Sequence, residues 1–132
     1  MRVFSITLKA LAALLAVVSA LHLALALRAD TLLGITLSEA VISSPGLSSQ
    51  NRFFGVSYLL YAVVLWAASK DLERYKPLLK AALVLTLLAG LARLISWAAF
   101  GAPPPQVIFL LATELLAPPI LLYWLNRLRL RN

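Results

Sequence analysis

An arginine and a glutamate stand inside two long apolar segments of this chain. Arg93 lies in GLARLISWAAF (residues 90–100), and Glu114 lies in VIFLLATELL (residues 107–116). A guanidinium beside a carboxylate can act as a structural ion pair, anchor a polar ligand or, if the carboxylate exchanges protons, supply an acid or a base. An isolated charge at the centre of a membrane costs about 2.5 kcal/mol or more. We therefore expect the two side chains to meet.

Five further polar or aromatic residues are candidates for the same site. A histidine and a tyrosine lie inside apolar segments, an arginine stands at the mouth of the second segment, and a serine and a tryptophan follow Arg93 by one turn: His22, Tyr58, Arg52, Ser96 and Trp97. Each also has a simpler reading. The histidine can be a hydrogen-bonded contact between helices, and the aromatic residues can be anchors at the membrane boundary.

The composition indicates an integral membrane protein. Of the 132 residues, 62% are hydrophobic and 13% charged, whereas a soluble domain carries about 25% charged residues. The net charge is +7, but the basic residues flank apolar runs and do not form a polar stripe, so we expect no nucleic-acid partner. The chain has no cysteine, which excludes disulfides, thiol redox chemistry and thiolate metal sites.

The elements that must position these residues are four membrane-spanning helices. A span needs about 20 mostly apolar residues, and residues 5–27, 53–69, 77–100 and 106–125 meet this requirement. We expect the first to be retained as a span and not removed as a leader. The fold class is therefore predicted to be all-α, an up-and-down four-helix bundle in one domain (1–132).

The connections between the spans differ in kind. SKDLERYK is short and charged, and GAPPP (101–105) is a tight turn that makes the last two spans antiparallel neighbours. The first connection, about residues 28–51, is long. We interpret TLLGITLSEAVI as a short element on the membrane surface or over the bundle, and ISSPGLSSQN as turn-rich.

The distribution of lysine and arginine predicts the orientation. One side of the predicted bundle carries most of them: Arg2, Lys9, Lys70, Arg74, Lys76, Lys80, Arg127, Arg129 and Arg131. The other side has only Arg28 and Arg52. By the positive-inside rule both termini are cytoplasmic, and the first connection faces outward from a bacterial inner membrane.

The two embedded charges share one depth in this arrangement. With a rise of about 1.5 Å per residue, Arg93 lies about 10 Å and Glu114 about 12 Å below the outer boundary. Helical spacing also places Asn51, Gly55, Tyr58 and Ala62 on one face of the second span, and Thr86, Gly90, Arg93 and Trp97 on one face of the third. We therefore predict a polar pocket in the outer half of the bundle, over an apolar inner half.

Several chemistries lack their motif. There is no phosphate loop, no Gly-x-Ser-x-Gly elbow, no pair of acids for glycoside hydrolysis and only one histidine. We expect no metal and no cofactor, and we favour a non-enzymatic role.

The residues from the second span to the fourth resemble a known family. Arg52 with Gly55, then Gly90, Arg93 and Ser96, then Gly101 and Pro103, and finally Glu114 with Leu115 follow the pattern of small four-span proteins of the DoxX-like group, closest to domain-of-unknown-function family 4345. The resemblance covers nearly the whole chain and implies a four-helix bundle. The family often has an acidic residue shortly before the arginine and a double glycine after it. This chain has Gln50 there, and Val56 after Gly55, so Arg52 is expected to lack a local acidic partner.

These observations leave three functions to weigh. The first is a small membrane protein whose outer pocket binds an amphipathic molecule, such as a lipid, a quinone or an isoprenoid-like compound. The second is an accessory subunit of a larger membrane complex, or a homo-oligomer. The third, which we favour least, is a membrane isomerase or transferase that uses Glu114 or His22 as acid or base, because a pair with Arg93 keeps Glu114 ionised.

Overall fold

The computed structural model describes residues 1–128, which form helices and no strand. Arg129 and Arg131 of the basic tail lie outside the described residues. Four helices are long and apolar enough to cross a membrane, so the protein is an all-α, multi-pass membrane bundle, as predicted. In chain order the helices are α1 (Arg2–Leu25), α2 (Leu27–Leu32), α3 (Glu39–Ile42), α4 (Pro45–Lys70), α5 (Leu72–Phe100) and α6 (Pro105–Arg127).

Two of the predicted helix starts were wrong, because local capping signals begin the helices earlier. The α4 helix begins at Pro45, where the sequence had indicated a turn-rich stretch up to residue 51. Ser44 caps it, since its hydroxyl accepts a hydrogen bond from the Leu47 amide, and proline suits the first helical position. The α5 helix begins at Leu72 and not at Pro77, because the Asp71 side chain accepts a hydrogen bond from the Arg74 amide at 3.0 Å.

The long connection between α1 and α4 folds into two short helices. Ala26 turns the chain with a φ of 49°, a left-handed conformation, and α2 and α3 follow. Beyond α2, the carbonyl of Gly34 accepts a hydrogen bond from the Gln106 side chain at 3.0 Å, near the start of α6. The connection therefore reaches from α1 across to α6 at one end of the bundle. We call this end, with residues 26–44 and 101–104, the connection end, and the opposite end, with the α4–α5 junction, the basic end.

The α1 and α4 helices pack against each other along most of their length through small residues spaced seven apart. On α1 these are Ser5, Ala12 and Ser19, with Ala26 directly after the helix, and on α4 they are Gly55, Ala62 and Ser69. Small side chains allow two helix backbones to approach closely in a membrane. A Cβ on Gly55 would lie 3.2 Å from the His22 Cβ, and the Ser5 hydroxyl donates to the Ser69 carbonyl at 2.6 Å.

The α5 and α6 helices form the second pair, and the basic end joins the two pairs. An apolar core there takes residues from all four long helices: Phe4, Leu8 and Ala12, Leu65 and Ala68, Leu79 and Leu83, Leu121 and Leu125. The Phe4 and Trp124 rings meet edge to face at 5.1 Å. The half of the bundle nearer the basic end is thus held mainly by apolar packing. Between the pairs, the Thr86 hydroxyl of α5 donates to the Tyr61 hydroxyl of α4 at 2.7 Å.

Candidate functional site

The predicted ion pair between Arg93 and Glu114 is formed. The Arg93 Nε donates to the Glu114 Oε2 at 2.7 Å, a short charge-assisted hydrogen bond. Gly90 makes the approach possible, because it lies one turn before Arg93 and a Cβ there would come within 2.9 Å of the Leu115 side chain and 3.2 Å of the Glu114 Cβ. Of the two charged side chains, 35% of Arg93 and 19% of Glu114 is exposed. The pair is therefore open to the surroundings of the bundle on one side.

Tyr58 of α4 connects this pair to the other helix pair. Its phenol lies close enough to interact electrostatically with Arg93, Glu114 and Asp30. Its hydroxyl and the Arg93 guanidinium also interact as hydrogen-bonding groups. The Tyr58 ring also lies against the His22 ring, with centroids 5.6 Å apart and the planes tilted by 59°. We call Arg93, Glu114, Tyr58 and His22 the polar centre.

His22 is buried, with 5% of its surface exposed, and both ring nitrogens face oxygen atoms. Its Nδ1 lies 2.7 Å from the Val18 carbonyl, one turn earlier on α1, and its Nε2 lies 3.3 Å from the Asp30 Oδ1 on α2. The other oxygen of Asp30 accepts a hydrogen bond from the Asn51 side chain at 2.9 Å. Asp30 therefore ties the short helix α2 to both α1 and α4.

Arg52 was expected to lack a local acidic partner, and its hydrogen bonds go to backbone carbonyls. Its guanidinium donates to the backbone carbonyls of Leu23 and Ala24, in the last turn of α1. The final carbonyls of a helix have no partner within it and carry partial negative charge, so a cation there is favourable. Arg52 thus fixes the start of α4 against the end of α1, and the charge faces the connection end.

The remaining predicted residues differ in their surroundings. Trp97 is partly buried, whereas Ser96 is exposed on α5, one turn from Arg93. A residue that the sequence reasoning left out, Ser19, lies one turn before His22 with 1% of its surface exposed. Its hydroxyl has no hydrogen-bond partner in the described part of the chain.

Two surface depressions lie away from the charged pair. One, of about 330 Å³, is at the connection end and is lined by Leu25, Arg28, Thr31, Leu32, Glu39 and Ile42. The other, of about 230 Å³, is at the basic end and includes Arg2, Ser5 and Lys70. Neither is lined by Arg93 or Glu114.

Asp30 is a second residue of this region that sequence reasoning missed. A signal was available, because Asp30 is the first acidic residue of the chain and follows the single histidine by eight positions. Spacing along one straight helix does not bring residues eight apart into contact, so the pairing needs the bend at Ala26. The sequence does not indicate this bend, because no proline or glycine stands at it.

The chemistry available to the site is that of hydrogen bonding and ion pairing. No group of three or more histidine, cysteine or acidic side chains that could hold a metal occurs within the described residues. The polar centre offers guanidinium and phenol donors next to a carboxylate and an imidazole. Such an arrangement is able to donate to and accept from a polar group.

The fold and the polar centre together define a class, the four-helix integral membrane protein with a charged centre in one half of its bundle. Within that class, this chain belongs to the family described as domain of unknown function (DUF4345), whose sequence model matches residues 3–125. The expectation of membership in this family is confirmed over nearly all of the chain. Neither the curated proteins nor the solved structures include a match to the chain.

Proposed function

We propose that this protein binds the polar head of an amphipathic small molecule, a lipid or a quinone- or isoprenoid-like compound, at the polar centre, with the apolar tail remaining in the bilayer. The observation that supports this most is the partial exposure of an ion pair inside a membrane-spanning region. A pair that served only to join two helices gains most when both charges are enclosed, yet 35% of the Arg93 side chain is open.

The donors of the site support a ligand as well. A guanidinium has five N–H donors, and the hydrogen bond to Glu114 uses the one on Nε. The guanidinium also interacts with the Tyr58 hydroxyl, and its remaining N–H groups can bind carbonyl, hydroxyl or phosphate oxygens. In hydrocarbon there is no water to satisfy such donors, so a polar head group is a favourable partner.

The test is the retention of co-purified amphiphile, measured by native mass spectrometry of the protein taken from its own membrane in mild detergent. The double variant Arg93→Leu/Glu114→Leu removes both charges and leaves neither unpaired. We expect it to keep about a tenth or less of the bound molecule, because a hydrogen bond to a charged group contributes about 1.5–3 kcal/mol. A folded double variant that retains the wild-type amount would refute the proposal.

Two tyrosines of α4 provide a matched control. Tyr58→Phe removes a hydroxyl at the polar centre, whereas Tyr61→Phe removes one that accepts a hydrogen bond from Thr86 at 2.7 Å, closer to the basic end. We expect Tyr58→Phe to weaken retention and Tyr61→Phe to leave it unchanged. Equal losses in the two variants would indicate a general effect of packing and not a binding site.

A second candidate function is that of an accessory subunit, and the exposed face of α5 favours it. Ser96 is exposed beside Arg93 on a helix that crosses the membrane, and a hydroxyl in that position can bond to a helix of another protein. Cross-linking from Ser96→Cys in native membranes distinguishes the two. A single stoichiometric protein adduct supports the subunit role, and labelling by lipid alone supports the binding role.

We also propose that the membrane is the bacterial inner membrane, with both termini in the cytoplasm and the connection end outside. The excess of lysine and arginine at the basic end supports this orientation. Because the chain has no cysteine, single cysteines report the topology cleanly. A membrane-impermeant thiol reagent added to whole cells should label Ser38→Cys and spare Asp71→Cys, and the reverse pattern would overturn the orientation.

A further inference from the structure

The hydrogen bonds of His22 determine which of its ring nitrogens must carry a proton. The Val18 carbonyl can only accept, so the Nδ1 at 2.7 Å from it carries a proton whether the ring is neutral or charged. In the neutral ring the other nitrogen is then a bare acceptor. That nitrogen, Nε2, faces the Asp30 Oδ1 at 3.3 Å, and two acceptors repel each other.

The contact between His22 and Asp30 therefore requires one proton between Nε2 and Oδ1. Asp30 is committed on its other side, because its Oδ2 accepts from the Asn51 amide at 2.9 Å. With that proton present, α2 is bonded to α1 and α4 at once. Without it, an imidazole lone pair and a carboxylate face each other in a largely buried place, and the contact is lost.

The surrounding groups do not replace this bond. The charged groups that face His22 are Asp30 from α2 and Arg52 from α4, whose guanidinium is bonded to the last carbonyls of α1. On the far side of the Tyr58 ring lie Arg93 from α5 and Glu114 from α6, already paired with each other. Gly55 packs against the Cβ of His22 and fixes the position of the ring.

We propose that His22 and Asp30 form a proton-dependent latch that holds α2 over the connection end of the polar centre, closed when the shared proton is bound and open when it is lost. Its consequence for ligand access rests on the proposed function, but the latch itself does not. Raising the pH removes the proton, so α2 loosens and the polar centre opens towards the adjacent aqueous phase. Histidine is the side chain whose ordinary titration falls between about pH 5 and 8.

The test is hydrogen–deuterium exchange of the protein in lipid nanodiscs between about pH 5 and 8. Rates are expressed as protection relative to the unfolded chain, so that the intrinsic effect of pH on exchange cancels. We expect protection of the α2 amides to fall about tenfold as the pH rises, since the lost bond is one to a charged group. Protection in α5 should stay constant. Unchanged α2 protection over this interval would overturn the latch.

Asp30→Asn separates the latch from simple stabilisation. An asparagine amide donates to the neutral Nε2 while its oxygen still accepts from Asn51, so the variant should keep α2 protected at high pH. His22→Leu should leave α2 poorly protected at every pH, and Glu39→Gln, at an exposed acid of α3, should behave as wild type. An Asp30→Asn protein with the wild-type pH response would also overturn the latch. An Arg93→Leu/Glu114→Leu variant that retains the wild-type amount of amphiphile, with the latch response intact, would refute only the proposed function.

Discussion

A double-mutant cycle on Arg93 and Glu114 measures how strongly the two helix charges depend on each other. The variants are Arg93→Leu, Glu114→Leu and the double replacement. Leucine suits the hydrocarbon environment and is of comparable bulk to the buried part of both side chains. The cycle isolates the pair from the general effect of each replacement.

The magnitude follows from the exposure and position of the two side chains. A charge left alone at the centre of a span costs about 2.5 kcal/mol or more. The cost is lower here, because Arg93 is partly exposed and lies within reach of Tyr58, and because Glu114 can take up a proton. We therefore expect the free energy of unfolding of each single variant to fall by about 1–2 kcal/mol. The double variant leaves no charge behind, so its free energy of unfolding should be close to that of the wild type. Replacing a whole buried ion pair by apolar residues often has this result. The coupling energy should then be about 2 kcal/mol or more.

The assay is reversible unfolding in mixed micelles of mild detergent and dodecyl sulfate, followed by fluorescence of the three tryptophans. Intact helical content of each variant, checked by circular dichroism, is the control for misfolding. Losses from the single variants that add up in the double variant would refute the reasoning, because the two charges would then contribute independently.

Three further outcomes follow from contacts elsewhere. Gly55→Ala should cost about 1–2 kcal/mol in the same unfolding assay, because its Cβ would press on His22, while Gly46→Ala, which has open space around it, should be neutral or slightly stabilising; equal effects would contradict the close packing of α1 and α4. Thr86→Val should cost about 0.6 kcal/mol, typical of hydrogen bonds between helices in a membrane, and a stabilised variant would show that this bond contributes nothing. Arg52→Gln should increase deuterium exchange in the last turn of α1 without changing exchange in α5, and unchanged exchange there would argue against its role as a cap.

Composition and spacing were enough to predict the four spanning helices and the pairing of the embedded charges. The turn at residues 101–104 forces α5 and α6 to be neighbours, and similar distances from that turn place Arg93 and Glu114 together. Helical spacing likewise placed Gly55 and Tyr58 on one face of the second span, and in the structure both lie against His22 of α1. Such predictions succeed because the rise and rotation per residue are constant along a straight helix, so sequence spacing gives the depth and the face of each residue.

The parts that could not be predicted depend on where a helix begins or bends. A serine before a proline can start a helix or a turn, and the polar residues after Pro45 favoured the turn. The bend at Ala26 depends on one left-handed residue in an apolar run, and without it neither α2 nor the bond from Asp30 to His22 could be placed. The Asp30 contact joins elements of different direction, for which sequence spacing gives no rule.

The close packing of α1 against α4 has a consequence for how the protein is assembled. The two most intimate partners are separated by residues 26–44, whereas α5 and α6 are joined by a four-residue turn. During synthesis α1 is inserted into the bilayer before α4 and cannot pack against it until α4 has been made. The α5 and α6 helices can associate as soon as both are inserted. The length of the first connection gives α4 the freedom to insert in the opposite direction and then slide against α1, so shortening it should impair assembly before it affects the finished bundle.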